Sequence, residues 1–192
     1  MEENFSPHES LLLIQSMINK TKDNIGENRF YFLFWGWSVF SIIVLQFLLK
    51  VVFHSPYHYV VWSLIIPAVI ITIVYSIKSN KGKASRTYIG ESMGSLWTGV
   101  GISFFILGFI IASVEGVRTS PYPFYILLYG LGTFISGKIL RFTPLIAGGI
   151  INWILACIAA YLTYDYQMLI AALALLTSYI IPGHLLSSSK KN

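Results

Sequence analysis

The stretch GESMG at residues 90–94 matches the G-x-S-x-G pattern that surrounds the nucleophile of many serine hydrolases. In such an enzyme a histidine accepts the serine proton, and His184 is expected on the same membrane face as Ser92. The pattern requires a strand before the serine, and the sequence offers none there. Helix capping by the Ser92 hydroxyl is therefore the simpler interpretation. A membrane-embedded serine hydrolase using Ser92 and His184 is the third of three functional hypotheses.

Three polar side chains, Gln46, Lys138 and Asn152, lie within long apolar stretches of the sequence. A polar group in hydrocarbon needs a partner, and such groups often mark the path of a solute or an ion. Lys138 would lie ~22 Å along a helix that starts at Pro123, within snorkelling reach of the membrane interface. A hydrogen bond between helices is the simpler role for Asn152. With Gln46, these residues support the second hypothesis, a small transporter or channel that works as an oligomer.

The residue types of the chain give little support for a bound metal or cofactor. His54 and His58 are spaced for one helical face, but Pro56 lies between them and two ligands do not complete a site. The single cysteine, Cys157, cannot form a disulfide within the chain. No phosphate-binding loop, dinucleotide fingerprint or zinc-protease motif is present. The sequence predicts no cofactor and no metal site.

The distribution of charged residues along the chain predicts the helices that carry these side chains. Only 11% of the 192 residues are charged, against roughly 25% in a typical soluble domain. The charges leave six segments free of Asp, Glu, Lys and Arg, and about 20 apolar residues suffice for a helix to cross a bilayer. We therefore predict an all-α polytopic membrane protein with six transmembrane helices. The predicted spans lie near 30–50, 58–77, 95–113, 123–140, 144–162 and 166–186.

Orientation follows from the cations in the connections between the spans. Eleven of the 13 Lys and Arg residues fall on one side, and only Lys50 and Arg118 fall on the other. Positive residues are retained in the cytoplasm, so both termini are predicted to be cytoplasmic, in the cytoplasmic (inner) membrane. The net charge of +5 belongs to that face, where it suits anionic lipids better than nucleic acid.

Residues 1–28 are predicted to form a cytoplasmic amphipathic helix ahead of the spans. Ser6 is placed to cap it, Leu11, Ile14 and Ile18 form an apolar stripe, and Gly26 is placed to end it. The helix would lie on the membrane or beneath the bundle, and binding to a partner protein is the alternative. The predicted domains are 1–28, the transmembrane domain 29–187 and the cytoplasmic tail 188–192. The aromatic cluster at 30–40 would lie at the membrane interface.

A weak internal similarity suggests three repeated two-helix hairpins. The odd-numbered spans have Trp or Gly near their start, and the even-numbered spans have Thr before a basic or titratable residue, as in Thr133 and Lys138. Any apolar hairpin that ends in a cation on the cytoplasmic side would show the second feature, so the repeat remains a hypothesis.

The chain resembles small six-span bacterial integral membrane proteins of uncharacterised function. The matching features are a front helix ending near Gly26, the FWGW stretch at 34–37 and the IPGH stretch at 181–184. The resemblance covers the whole chain and implies no activity. The first of the three functional hypotheses is a non-enzymatic membrane protein that scaffolds or regulates a partner, as a homo-oligomer or with another protein. Its contact surfaces would be the basic face and the front helix.

Overall fold

The computed structural model describes residues 29–80 and 88–188, and every regular element within these ranges is helical. Helix α1 spans Arg29–Val52 and ends in a π-helical segment, Leu48–Val52. The remaining elements are a 3-10 helix, His58–Leu64, leading into α2 (Ile65–Asn80), then α3 (Tyr88–Ser113), α4 (Glu115–Arg118), α5 (Tyr122–Ile139), α6 (Thr143–Ala159), α7 (Tyr164–Leu175), a second π-helical segment, Leu176–Ile180, and α8 (Ile181–Ser188). The all-α prediction is confirmed for the described residues. The predicted amphipathic helix at 1–28 lies outside them, as does nearly all of the predicted tail at 188–192.

Four of the described helices are long and apolar enough to cross a membrane. They are Arg29–Val52, His58–Lys78, Tyr88–Ser113 and Tyr164–Leu185. A fifth, Thr143–Ala159, is apolar but shorter. The molecule is therefore a helical protein with several helices of membrane-spanning length and composition, which confirms the coarser part of the sequence prediction.

Helices α5, α6 and the helix Tyr164–Leu185, which comprises α7, the second π-helical segment and the start of α8, pack with their backbones in close contact. A Cβ atom added at Gly149 of α6 would lie 2.7 Å from the backbone nitrogen of Phe134 in α5. One added at Gly148 would lie 2.8 Å from the Cα atom of Ser178, in the second π-helical segment. Only glycine permits such approach, because any side chain would push the helices apart. The centre of the bundle therefore lies where these three helices meet.

A tight connection holds α5 against α6. The backbone N–H of Phe142 donates to the carbonyl of Gly137 at 2.9 Å, and that of Arg141 donates to Lys138 at 3.3 Å. Arg141 has φ 52°, the left-handed conformation of the residue that ends a helix in the Schellman motif. Pro144 follows in the first turn of α6, where its missing N–H costs least.

Helix α3 lies at the edge of this bundle. Only 6% of its apolar stretch is buried within the protein, against 56% for that of the helix Tyr164–Leu185. At its glycines 94, 99 and 101 an added Cβ would meet no atom within 4 Å, so no other helix of the described residues packs against them there. The glycines of α5 and α6 thus lie in tight contact with neighbouring helices, whereas Gly94, Gly99 and Gly101 lie on an open face of α3.

Candidate functional site: two buried polar clusters

The first cluster is built on Gln46, which is 1% exposed near the end of α1. Its Oε1 atom accepts from the indole N–H of Trp62 at 2.6 Å and from the hydroxyl of Tyr122 at 2.6 Å. Its Nε2 atom contacts the hydroxyl of Tyr164 at 3.0 Å and Nδ1 of His58 at 3.2 Å. We call these five residues the Gln46 cluster. All four hydrogen-bonding positions of the amide are used within it.

The chemistry of the partners fixes the orientation of the amide. An indole N–H can only donate, so the atom of Gln46 that faces Trp62 must be the oxygen. The Nε2 atom then faces His58, and an amide nitrogen can only donate. Nδ1 of His58 must therefore be an unprotonated acceptor, which makes His58 the neutral tautomer that carries its proton on Nε2.

Several elements bring the Gln46 cluster together. Gln46 comes just before the π-helical end of α1, and His58 and Trp62 come from the 3-10 helix that leads into α2. Tyr122 and Tyr164 are the first residues of α5 and α7. The end of α1 and the starts of three later elements thus meet at one end of the bundle. The three predicted hairpins would pair α1 with α2, α3 with α5 and α6 with α7. Each of these hairpins then contributes at least one residue to the Gln46 cluster.

An ion pair lies beside the Gln46 cluster. The Nζ atom of Lys50 bonds Oδ1 of Asp165 and also lies 4.3 Å from the ring centroid of Tyr164. The two charged side chains are 31% and 45% exposed, so water screens much of their attraction. The pair therefore marks the edge of the buried cluster and adds little to stability.

The second cluster, which we call the core polar layer, comprises Thr133, Asn152, Ser178 and Tyr179. All four are buried, the first three at 0% exposure and Tyr179 at 2%. Nδ2 of Asn152 donates to Oγ of Ser178 at 3.1 Å, and that hydroxyl donates to the carbonyl of Ala174 at 2.6 Å. Oδ1 of Asn152 and the hydroxyls of Thr133 and Tyr179 have no hydrogen-bond partner. This cluster, unlike the first, has unused hydrogen-bonding capacity.

Aromatic rings enclose Tyr179 in this layer. The ring centroids of Phe32, Trp97 and Tyr129 lie 5.4, 5.8 and 5.4 Å from that of Tyr179. Trp97 in turn donates its indole N–H to Oγ of Ser136 at 3.2 Å. The layer is therefore a group of buried polar side chains with aromatic rings around it.

The residues predicted for a transport path occupy three separate places. Gln46 and Asn152 belong to the two different clusters, and no hydrogen bond between them is present in the described part of the chain. Lys138 is exposed, with Nζ 5.6 Å from the ring centroid of Phe134. Their role in transport remains a prediction.

The predicted hydrolase pair is similarly unconnected. Ser92 is half-buried in the first turns of α3, and His184 is exposed on α8. Within 29–80 and 88–188 no hydrogen bond joins the two side chains. A catalytic role for them remains a prediction without geometric support.

Sequence reasoning missed most partners in both clusters, namely His58 as an acceptor, Trp62, Tyr122, Tyr164, Ser178 and Tyr179. The available signal was the position of Trp62, Tyr122 and Tyr164 near helix ends, where an aromatic ring with a polar atom is common. That signal predicts depth in a membrane and cannot identify the shared partner, Gln46.

Comparisons of this chain with protein-family models, with curated proteins and with solved structures found no match. The fold therefore gives the class of protein: a helical protein with several apolar helices of membrane-spanning length.

Proposed function

We propose that this chain is a six-span protein of the cytoplasmic membrane, with both termini in the cytoplasm, which acts without catalysis as a scaffold or regulator of a partner protein. In this proposal α5 and α6 are the two remaining spans. Their 18 and 17 residues rise ~27 and ~26 Å, close to the hydrocarbon thickness of ~30 Å. The meeting of helix ends in the Gln46 cluster also agrees with spans that alternate in direction.

The observation that supports a structural role is that the Gln46 amide is fully hydrogen-bonded within its own cluster. The amide makes four hydrogen bonds to other side chains and so retains no capacity for a substrate. A fully satisfied buried network makes a bundle rigid and specific, which suits a protein that presents a fixed surface. The basic cytoplasmic face, which includes Lys138 and Arg141, is the proposed contact surface for anionic lipids and for the partner.

Topology can be tested with reporter fusions that are active only outside the cytoplasm. A fusion after Lys83 should be silent and one after Val117 should be active, because cations concentrate near the first site. The reverse pattern would overturn the proposed orientation.

The scaffold role can be tested by native mass spectrometry after extraction into lipid nanodiscs. We expect a complex with a second protein in fixed stoichiometry. Replacing Lys138 and Arg141 together by Gln should release the partner, whereas Arg118→Gln, on the other predicted face, should not. A chain that is always alone, and that conducts solutes when reconstituted, would contradict the scaffold role.

A small oligomeric transporter or channel is the second candidate function. The observation that favours it is the unused hydrogen-bonding capacity of Thr133, Asn152 and Tyr179 in the middle of the bundle. Proteoliposomes that show no flux of ions or small solutes would exclude it.

A further inference from the structure

We propose that the core polar layer is a binding site for a small, uncharged hydrogen-bonding molecule, with water as its simplest ligand. The site uses Oδ1 of Asn152 as an acceptor and the hydroxyls of Thr133 and Tyr179 as donors or acceptors. This inference goes beyond the scaffold role and does not depend on it, because it concerns the interior of the bundle and not a partner surface.

The first argument concerns the Thr133 hydroxyl. Hydroxyl groups in helices usually bond to the carbonyl four residues earlier, and six described side chains do so: Thr72, Thr98, Ser103, Ser136, Thr177 and Ser178. Thr133 is 0% exposed and makes no such bond. The Tyr179 hydroxyl is also buried without a partner, and its ring lies 5.4 Å from that of Tyr129, about one turn before Thr133 on α5. Two buried hydroxyls that lack partners in the same layer are suited to a ligand that bridges them.

The second argument places Asn152 in the same layer. A Cβ atom added at Gly130 would lie 3.1 Å from Cβ of Asn152, and Thr133 follows Gly130 by about one turn of α5. Asn152 also bonds Ser178, the neighbour of Tyr179 in the π-helical segment. Such segments occur mostly as single turns inside helices and frequently at functional sites.

The π-helical segment explains how two adjacent residues can both be buried here. The Cα atom of Ser178 faces Gly148 of α6, at 2.8 Å from an added Cβ. The Cβ atom of Tyr179 faces Gly36 of α1, at 3.0 Å from an added Cβ. The segment therefore lies between two helices, and the side chains of Ser178 and Tyr179 are both buried there.

The third argument concerns the charge and size of the ligand. The residues that form and enclose the layer are neutral: Phe32, Trp97, Tyr129, Thr133, Asn152, Ser178 and Tyr179. An ion there would have no counter-charge in hydrocarbon, where unpaired charge is costly. Divalent cations also take about six or more oxygen ligands, and this layer offers three free oxygens. The helices are in close contact at Gly130 and Gly148, where an added Cβ would lie 2.7 Å from Trp153 and 2.8 Å from Ser178. We therefore restrict the proposal to a ligand about the size of water.

The test is X-ray radiolytic labelling of the full-length protein in nanodiscs in ¹⁸O-water, because a buried side chain is oxidised rapidly only where water lies beside it. Tyr122 is the matched control, since it is also buried but its hydroxyl is bonded to Gln46. We expect ¹⁸O incorporation at Tyr179 to be several-fold faster than at Tyr122. Equal or slower labelling of Tyr179 would overturn the site.

Two variants test whether the named atoms hold the ligand. Thr133→Val and Asn152→Leu should each reduce labelling of Tyr179 to the level of Tyr122. Thr72→Val should have no effect, because the Thr72 hydroxyl is bonded to its own helix. Thr133→Ser keeps the hydroxyl and should keep the label, which separates loss of the site from a folding defect. Labelling of Tyr179 that persists in both Thr133→Val and Asn152→Leu would also overturn the proposal.

Discussion

The indole N–H of Trp62 donates to Oε1 of Gln46 at 2.6 Å, joining the 3-10 helix before α2 to the end of α1. This contact determines the direction of every other hydrogen bond of the amide, because the indole has no acceptor. The rest of the Gln46 cluster, including the tautomer of His58, follows from it.

Replacing Gln46 by Leu should destabilise the protein markedly. The change leaves the indole of Trp62 and the hydroxyls of Tyr122 and Tyr164 without their partner. A buried polar group without a partner costs about 1–3 kcal/mol, so we expect a total loss of about 3 kcal/mol or more. Thermal unfolding in nanodiscs measures it. Leu45→Ala, on the exposed side of the same turn, is the control and should have a small effect. Equal unfolding midpoints for Gln46→Leu and wild type would contradict this network.

His58 should be neutral, with its proton on Nε2, at neutral pH. The reason is that Nδ1 must accept from the Gln46 amide. Nitrogen-15 NMR of protein labelled at its 4 histidines distinguishes the tautomers, and the spectrum of His58→Asn identifies the signal of His58. In Gln46→Leu the preference should be lost. A protonated Nδ1 in the wild type would show that the amide is oriented the other way.

Charge reversal at Lys50 and Asp165 should have only a small effect on stability. Both side chains are partly exposed, and ion pairs of this kind contribute about 0–1 kcal/mol. The single variants Lys50→Asp and Asp165→Lys should each lower the unfolding midpoint slightly, and the double variant should recover most of the loss. Added salt should reduce the differences. A large loss that the double variant does not recover would mean that the cation–π contact of Lys50 with Tyr164 dominates.

Gly149→Ala and Gly101→Ala should have opposite effects. At Gly149 the new Cβ would lie 2.7 Å from the backbone of Phe134, so α5 and α6 must separate. At Gly101 the new Cβ meets nothing within 4 Å, and alanine is favoured over glycine in a helix by about 1 kcal/mol. Unfolding measured in the same nanodiscs should show a loss for the first variant and a small gain for the second. A loss at Gly101 would indicate that the open face of α3 contacts another molecule in the membrane.

The sequence by itself determined the helical class and the presence of apolar helices of spanning length. Both depend on composition along the chain: long unbroken apolar segments without charge are typical of helices, which satisfy their backbone groups within the segment itself. The start of α6 near Pro144 was equally visible, because proline is favoured in the first turn. Gln46 and Asn152 were recognised as unusual for the same reason, since an amide inside an apolar stretch needs a partner.

Only the tertiary structure decided what those amides contact. The partners of Gln46 are 12 to 118 positions away along the chain, and no local pattern encodes such distances. The same holds for the glycines, because Gly149 and Gly101 are alike in sequence and differ only in whether another helix lies against them. The pattern of apolar residues predicts where a helix lies along the chain. Which helices pack together depends on side-chain shape at contacts between distant segments. The sequence therefore identified Gln46 and Asn152 as polar residues of the core. Only the fold shows that the Gln46 cluster is fully hydrogen-bonded, whereas the core polar layer has oxygens without partners.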